Sequence, residues 1–189
     1  MPPGDLNVIE ALPCTAPGVE RHLVRTEGGQ IVEAVTLLEG RLEHLPRGGV
    51  FAPVSLAGGR VLLGAPLHRR LAELKAPPLA VLGLFARLFL DLDTLHRDGG
   101  AHGALALEGF GLEEGGVFRV RPVFHLPGEL SPAGDVRALG RALAALAPLD
   151  QVQAAGVARA PFLFSGLALD GGRLGFPDGR AARQALAVA

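Results

Sequence analysis

The chain has 189 residues, and its 18 lysines and arginines against 19 aspartates and glutamates leave a formal net charge of −1. This length suits one domain or one two-lobed unit, and the near-zero charge disfavours nucleic acid, whose backbone attracts strongly basic proteins. With 49% hydrophobic and 20% charged residues, the composition excludes a disordered chain. The single cysteine, Cys14, excludes an internal disulfide and a multi-cysteine zinc site. The first residues lack the basic and apolar regions of a signal peptide, so a cytoplasmic location is expected.

The first third of the chain predicts a small antiparallel sheet. Residues 1–19 contain several prolines and predict an extended lead-in. Two β-type runs around a Gly-Gly turn predict a hairpin over residues 20–38. Residues 38–45 predict a short helix, and a second strand–turn–strand pattern follows over 50–66. Residues 20–66 are therefore expected to form a sheet with one helix.

The middle of the chain is predicted to be helical. Residues 68–75 predict a short helix, and residues 78–95 predict a longer one that is apolar on nearly every side. Three charged residues, Arg87, Asp91 and Asp93, leave an apolar run too short to span a membrane. The long helix is therefore predicted to be buried at the centre of the protein.

Beyond the long helix the predicted elements are shorter. Strands are predicted at residues 104–107 and 117–124. Asp135 is predicted as the N-cap of a helix over 136–146, because its short side chain can accept hydrogen bonds from the first turn. The remaining predicted elements are a helix over 150–158, a hairpin around residues 171–172 and a helix that begins at Asp178.

One group of residues has the composition of a metal site. His96, Asp98 and His102 supply the two histidines and one carboxylate of a known class of iron site. All three lie within seven residues at a helix end, however, where histidine and arginine commonly complement the helix dipole. The spacing favours this ordinary helix end, and the metal site is kept as an alternative. The sequence contains neither a Gly-x-Ser-x-Gly elbow nor a phosphate-binding loop with a lysine.

Two motifs carry a family resemblance: Leu95-His96-Arg97-Asp98-Gly99-Gly100-Ala101-His102-Gly103-Ala104-Leu105 and Asp135-Val-Arg-Ala-Leu-Gly140. The first resembles the end of the central C-lobe helix and the catalytic loop of bacterial protein-kinase-like proteins. The second resembles the buried sixth helix of that lobe. The order of predicted elements agrees over residues 20–147. The resemblance implies an α+β, protein-kinase-like fold with a small antiparallel β N-lobe over 20–66 and a helical C-lobe over 67–189, abbreviated after the helix at 135–147.

The resemblance also implies that catalysis is lost. Phosphoryl transfer needs a lysine and magnesium at the phosphates and an acid at the acceptor hydroxyl. The residues that occupy the family's lysine, base, asparagine and metal-binding aspartate positions are, in that order, Thr36, Ala104, Gly109 and Pro122. His102 and Asp135 remain, and the family role of the aspartate is structural: it anchors the backbone around the loop histidine. No cofactor and no nucleotide are expected.

His96-Arg97-Asp98 spells the family's catalytic triplet and suggests another alignment. In that alignment the asparagine position falls on Gly103, and the chain has no asparagine beyond Asn7. We therefore interpret the triplet as a chance match, because a motif needs its surroundings to carry its function.

The sequence leads to one expected function and two alternatives. The expected function is a catalytically inactive kinase-like domain, a pseudokinase, that acts as a binding or scaffolding module for a protein partner, including a second copy of the chain. The first alternative is a small enzyme with metal-dependent chemistry at His96, Asp98 and His102. The second is a small α+β assembly subunit whose kinase likeness is fortuitous. Because the C-lobe is abbreviated, apolar surface on its central helices must be covered by residues 149–189 or by a partner.

Overall fold

A five-stranded antiparallel sheet occupies the N-terminal part of the chain. The computed structural model describes residues 6–13, 19–37, 55–57, 60–97, 100–103, 105–121, 131–167 and 176–187. The strands of the sheet are β1 (Asn7–Leu12), β2 (Val19–Arg25), β3 (Ile31–Leu37), β4 (Ser55–Ala57) and β5 (Arg60–Gly64). Their order across the sheet is β1-β2-β3-β5-β4. The predicted sheet is confirmed, while the predicted helix at 38–45 lies outside the described residues.

The hairpin of β2 and β3 sets the two faces of this sheet. Its register is regular, and Gly29 takes the left-handed conformation that the turn requires, with φ of 76°. Because side chains alternate along a strand, Val24, Val32 and Ala34 share one face, where they pack together. Glu33 therefore lies on the opposite face, and it is buried there. The predicted hairpin is confirmed.

The structure corrects the prediction for the N-terminal lead-in. Residues 7–12 form strand β1, which pairs with β2 through a bulge between Val8 and Glu10. The prolines that suggested an irregular segment lie outside this strand, so they bound it without interrupting its backbone hydrogen bonds.

A second, three-stranded sheet joins distant parts of the chain. Its strands are β6 (Arg69–Arg70), β7 (Phe110–Leu112) and β8 (Phe118–Val120), in that order. The helix predicted at 68–75 is wrong: β6 pairs with β7 and then leads into a 3-10 turn at Leu71–Glu73. The strand predicted at 104–107 is also wrong: of its described residues, 105 and 106 are irregular and Leu107 begins another 3-10 turn. The first error arises because β6 is formed by pairing with a strand about forty residues later in the chain, which local spacing does not show.

Within the described ranges, five α-helices form the larger part of the core. They are α1 (Pro78–Arg97), α2 (Pro132–Leu146), α3 (Leu149–Ala154), α4 (Ala160–Gly166) and α5 (Gly179–Ala187). The predicted long buried helix is confirmed as α1, whose side chains Phe85, Leu88, Phe89 and Leu92 are fully buried in the core that it shares with α2, α3 and α5. In the described part of the chain, no helix is both long and apolar enough to cross a membrane. Helices α3 and α5 thus cover part of α1 from within the chain, and α5 also packs against α2.

The start of α2 differs from the prediction by one turn. Ser131 is the N-cap, and its hydroxyl accepts a hydrogen bond from the backbone N–H of Gly134. Pro132 follows at the first helical position, where its missing N–H costs nothing. Asp135 is therefore not the cap; it lies inside the first turn, and its side chain is directed to other partners.

Candidate functional site

The carboxylate of Asp135 joins helix α2 to the segment that follows α1. Its Oδ2 accepts hydrogen bonds from the backbone N–H of His102 at 2.6 Å and from Nε2 of His96 at 3.1 Å. Its Oδ1 accepts from the backbone N–H of Gly103 at 2.8 Å. The side chain is only 1% exposed, so three donors replace the water that the buried charge has lost.

The imidazole of His96 connects this aspartate to the last helix. Nδ1 accepts a hydrogen bond from the backbone N–H of Gly179 at 3.0 Å. A backbone N–H can only donate, so Nδ1 carries no hydrogen and Nε2 holds the ring proton that points to Asp135. His96 is therefore a neutral bridge in this arrangement, with both ring nitrogens occupied by the protein.

The side chain of His102, whose backbone N–H binds Asp135, is buried. Burial lowers its pKa from 6.5 to about 4, and the nearby charge of Asp135 opposes that change only in part. His102 is therefore neutral at pH 7. Gly103, the next residue, has φ of 66°, a left-handed conformation that glycine adopts without strain. This turn lets two successive N–H groups reach the same carboxylate.

The proposed metal ligands do not form a ready site. Asp98 lies outside the described residues, and both nitrogens of His96 already have partners. Among the residues that the structure describes, no group of three histidine, cysteine, aspartate or glutamate side chains is placed to hold a metal ion. A metal could bind His96 only by breaking its bond to Asp135 or to Gly179.

A second cluster of charges lies between the two sheets and is centred on Arg121, directly after β8. Its Nη2 donates to Oε1 of Glu113 at 3.1 Å, and its Nη1 donates to the carbonyl oxygen of Gly64 at 3.3 Å. Nη1 also forms an ion pair with Oε2 of Glu33 on β3, at 3.6 Å. The guanidinium is 3% exposed, and burial lowers the pKa of Arg121, while the charges of Glu33 and Glu113 oppose this effect. The cluster ties β3 and β5 to the smaller sheet.

Two further arginines extend this cluster at its ends. Arg21 on β2 binds Glu33, with Nε donating to Oε1 at 2.8 Å. Arg119 on β8 pairs with Glu113 at 3.4 Å. Positive and negative groups thus alternate from Arg21 to Arg119, so each acid lies between two arginines. Such alternation stabilises buried charges that would be costly alone.

The residues at the family's catalytic positions lie apart from this cluster or outside the described structure. Thr36 lies on the opposite face of β3 from Glu33, and its Oγ1 accepts a hydrogen bond from Nε of Arg60 at 3.3 Å. Gly109 is buried at the end of a 3-10 turn, and its carbonyl accepts from the backbone N–H of Arg121. Ala104, Pro122 and the lone Cys14 lie outside the described residues.

Sequence reasoning missed Glu33 and Arg121. A signal for Glu33 was present, because one acid interrupts the apolar run Ile31-Val-Glu-Ala-Val35. A charge in the middle of a strand with apolar neighbours on both faces indicates a buried partner. That partner is Arg121, which lies nearly ninety residues later in the chain, so local sequence patterns cannot identify it.

Comparison with known proteins adds no family to this description. A scan against protein-family models finds no match for the chain, and a search of curated proteins finds no relative either. The kinase resemblance therefore remains an expectation drawn from the two sequence motifs.

Proposed function

We propose that this chain is a non-catalytic, protein-kinase-like module that binds a protein partner. The observation that carries the proposal is the bonding of the Asp135 carboxylate to the backbone of His102 and Gly103. It is the structural role that the family gives to this aspartate. The element order supports the same reading: a small antiparallel sheet, a long buried helix, a short hairpin, and a helix that carries the aspartate.

The Arg121 cluster supports the absence of phosphotransfer. The family places a lysine on the third strand and a metal-binding acid after the hairpin that follows the loop. Here the buried group on β3 that faces the cluster is the acid Glu33, and the group after β8 is the base Arg121. Neither group stands at the position that the resemblance gives to a catalytic residue, since those positions are Thr36 and Pro122. The acids and arginines of the cluster already pair with one another, so the cluster is poorly suited to hold phosphate groups and magnesium.

The alternative of a metal-dependent enzyme gains no support from His96, because that ring already uses both nitrogens. The alternative of an assembly subunit differs from the proposal in how it explains Asp135. If the kinase likeness is fortuitous, the contact between Asp135 and the backbone of His102 and Gly103 has no relation to a lost catalytic loop. Nucleotide binding and phosphotransfer decide between catalytic and non-catalytic readings.

The test is a thermal unfolding experiment with millimolar ATP, with and without magnesium, together with an assay for transfer of labelled phosphate. We expect neither a shift of Tm nor incorporation of label. A ligand at a hundredfold excess over its Kd would add about 2.7 kcal/mol to the free energy of unfolding, so binding would be readily detected. A magnesium-dependent rise of several degrees would contradict the proposal.

Incorporation of label would also identify the catalytic aspartate. Loss of incorporation in the Asp98→Ala variant would show that His96-Arg97-Asp98 is the true catalytic triplet. Incorporation that survives this substitution would place the active site elsewhere. Sedimentation equilibrium over a hundredfold range of protein concentration tests whether a second copy of the chain is the partner.

A further inference from the structure

A cavity of about 270 Å³ opens beside Asp135, between helix α2 and the segment that follows α1. Its wall on the helix includes Arg137, Ala138 and Arg141, and its opposite wall includes Gly103 and Leu105. The cavity is therefore a feature separate from the buried junction that it adjoins.

Among the described residues, the charged groups in the wall of this cavity are two arginines and one aspartate. Arg137 and Arg141 are four residues apart, which puts them on the same side of α2, one turn from each other. The negative group in the wall, Asp135, already accepts hydrogen bonds on both oxygens from His96 and from the loop backbone. Arg141 is exposed and forms no hydrogen bond or ion pair with the described residues. Arg137 has a further interaction within the protein, so Arg141 is the more available of the two guanidinium groups that line the cavity beside this carboxylate.

The cavity has an apolar part beside its charged part. Leu105 and Ala138 contribute carbon surface next to the two guanidinium groups. A volume of about 270 Å³ corresponds to roughly nine molecules of liquid water, which is more than a single inorganic oxyanion fills. The dimensions fit a ligand with an anionic head and a short organic stem.

We propose that this cavity binds a phosphate monoester, with Arg137 and Arg141 at the phosphate and Leu105 and Ala138 against the stem. A guanidinium presents paired donors that suit the oxygens of a phosphate, and Arg141, exposed on the cavity wall, can offer them without breaking an ion pair with the described residues. The proposal goes beyond the proposed function, and it does not depend on the kinase resemblance because it uses only the cavity and its lining. The phosphate can come from a phosphorylated side chain of a protein or from a small phosphorylated metabolite.

The test is calorimetric titration of the full chain at constant ionic strength. The main probe is N-acetyl-O-phosphoserine N-methylamide, and its unphosphorylated form and the corresponding glutamate derivative are the comparators. We expect saturable binding of one equivalent of the phosphorylated probe and weaker binding of inorganic phosphate, which lacks a stem. Glycerol 3-phosphate is the second arm: tighter binding of it than of the phosphoserine probe identifies a metabolite as the source, and the reverse identifies a phosphorylated protein.

Two matched variants locate the site. Arg141→Gln is expected to weaken binding at least about tenfold, the loss that follows when a charged hydrogen bond is removed. Arg180→Gln is the control, because Arg180 is equally an exposed helical arginine, on α5, and it should change Kd by less than about twofold. Arg137→Gln provides a second substitution inside the cavity, with thermal unfolding used to verify that each variant is folded.

Three results would overturn the proposal. The first is the absence of saturation by either monoester at 10 mM ligand, a concentration about tenfold above a millimolar Kd. The second is unchanged affinity in both the Arg141 and the Arg137 variants. The third is equal affinity for the glutamate derivative or for inorganic phosphate, which would remove the preference for a phosphate head or for an organic stem. None of these results depends on nucleotide binding, so the proposal and the proposed function fail separately.

Discussion

Gly179 lies directly against the backbone of Asp93: a β-carbon at Gly179 would be only 2.7 Å from the amide nitrogen of Asp93. The same glycine donates its backbone N–H to His96, one turn further along α1. Arg183, in the second turn of α5, pairs with the buried carboxylate of Asp93 at 3.3 Å. The start of α5 is therefore held against the last turns of α1 by close backbone packing, by a hydrogen bond and by an ion pair.

The variant Gly179→Ala is expected to lower the free energy of unfolding by about 1–3 kcal/mol, because the added methyl group forces α5 away from α1. Gly83→Ala is the matched control. Gly83 lies on the exposed side of α1, and a β-carbon there has no neighbour within 4 Å. Alanine at that position should instead stabilise the helix by about 0.5–1 kcal/mol. Urea unfolding of both variants measures the difference, and equal effects would contradict the close contact.

Asp135→Asn is expected to be among the most destabilising single substitutions in the chain. The amide nitrogen of asparagine would face one of the donors that now point to the carboxylate, and a buried unpaired donor costs about 1–3 kcal/mol. Loss of the charge weakens the other bonds as well, so a total of at least about 3 kcal/mol is expected. The control Asp150→Asn, in the exposed first turn of α3, should cost no more than about 1 kcal/mol. A loss for Asp135→Asn no larger than that of its control would show that the junction carries little stability.

His102 predicts a dependence of stability on pH. Its pKa is about 4 in the folded protein and 6.5 in the unfolded chain, so the unfolded chain binds more protons between these two values. The free energy of unfolding therefore falls as pH is lowered through this window, and this group contributes at most about 1.4 kcal/mol per pH unit. Below pH 4 its contribution is constant, because both states are then protonated.

Variants separate this effect from that of the carboxylates, which titrate in part of the same window. His102→Gln should flatten the dependence between pH 6.5 and pH 4, measured by urea unfolding at a series of pH values. His68→Gln replaces an exposed histidine and should leave the slope unchanged. An unaltered slope in the His102 variant would mean that its ring is protonated in the folded protein.

The pair formed by Glu33 and Arg121 is expected to be energetically coupled. Arg121→Met alone leaves Glu33 and Glu113 without their shared cation and should cost about 3–5 kcal/mol, the usual loss when one partner of a buried pair is removed. The double variant with Glu33→Gln should cost less than the sum of the two single variants, by about 0.5–3 kcal/mol. A double-mutant cycle by urea unfolding measures this difference. Strict additivity would show that the two charges do not interact.

Local patterns in the sequence predicted the elements that local forces determine. The β2–β3 hairpin follows from two apolar runs around a glycine turn, and α1 follows from an apolar pattern that begins after Pro77. The N-cap at Ser131 was also readable, because Pro132 at the first helical position marks the start of a helix. Asp135 was the more obvious capping side chain, and the sequence alone does not reveal that it has three other donors.

The parts that local patterns could not predict depend on distant partners. β6 has only two residues and exists because it pairs with β7, where Gly111 lets the backbone of Arg69 come close. The partners of Glu33 and Arg121 likewise come from opposite ends of the first two thirds of the chain. In both cases a local pattern indicates one residue of the contact but not its distant partner. That partner is determined by the free energy of burial in the folded chain.

The attachment of α5 to α1 has a consequence for synthesis on the ribosome. Gly179 and His96 are separated by 83 positions in the chain, so α1 emerges well before the helix that completes its surroundings. During that interval the ring of His96 lacks its donor, and part of the apolar surface of α1 stays open to water or to other nascent chains. Domains generally fold as units during translation, so this one must finish late. The chain is therefore most vulnerable between the release of α1 and the emergence of α5, while part of the apolar surface of α1 is still uncovered.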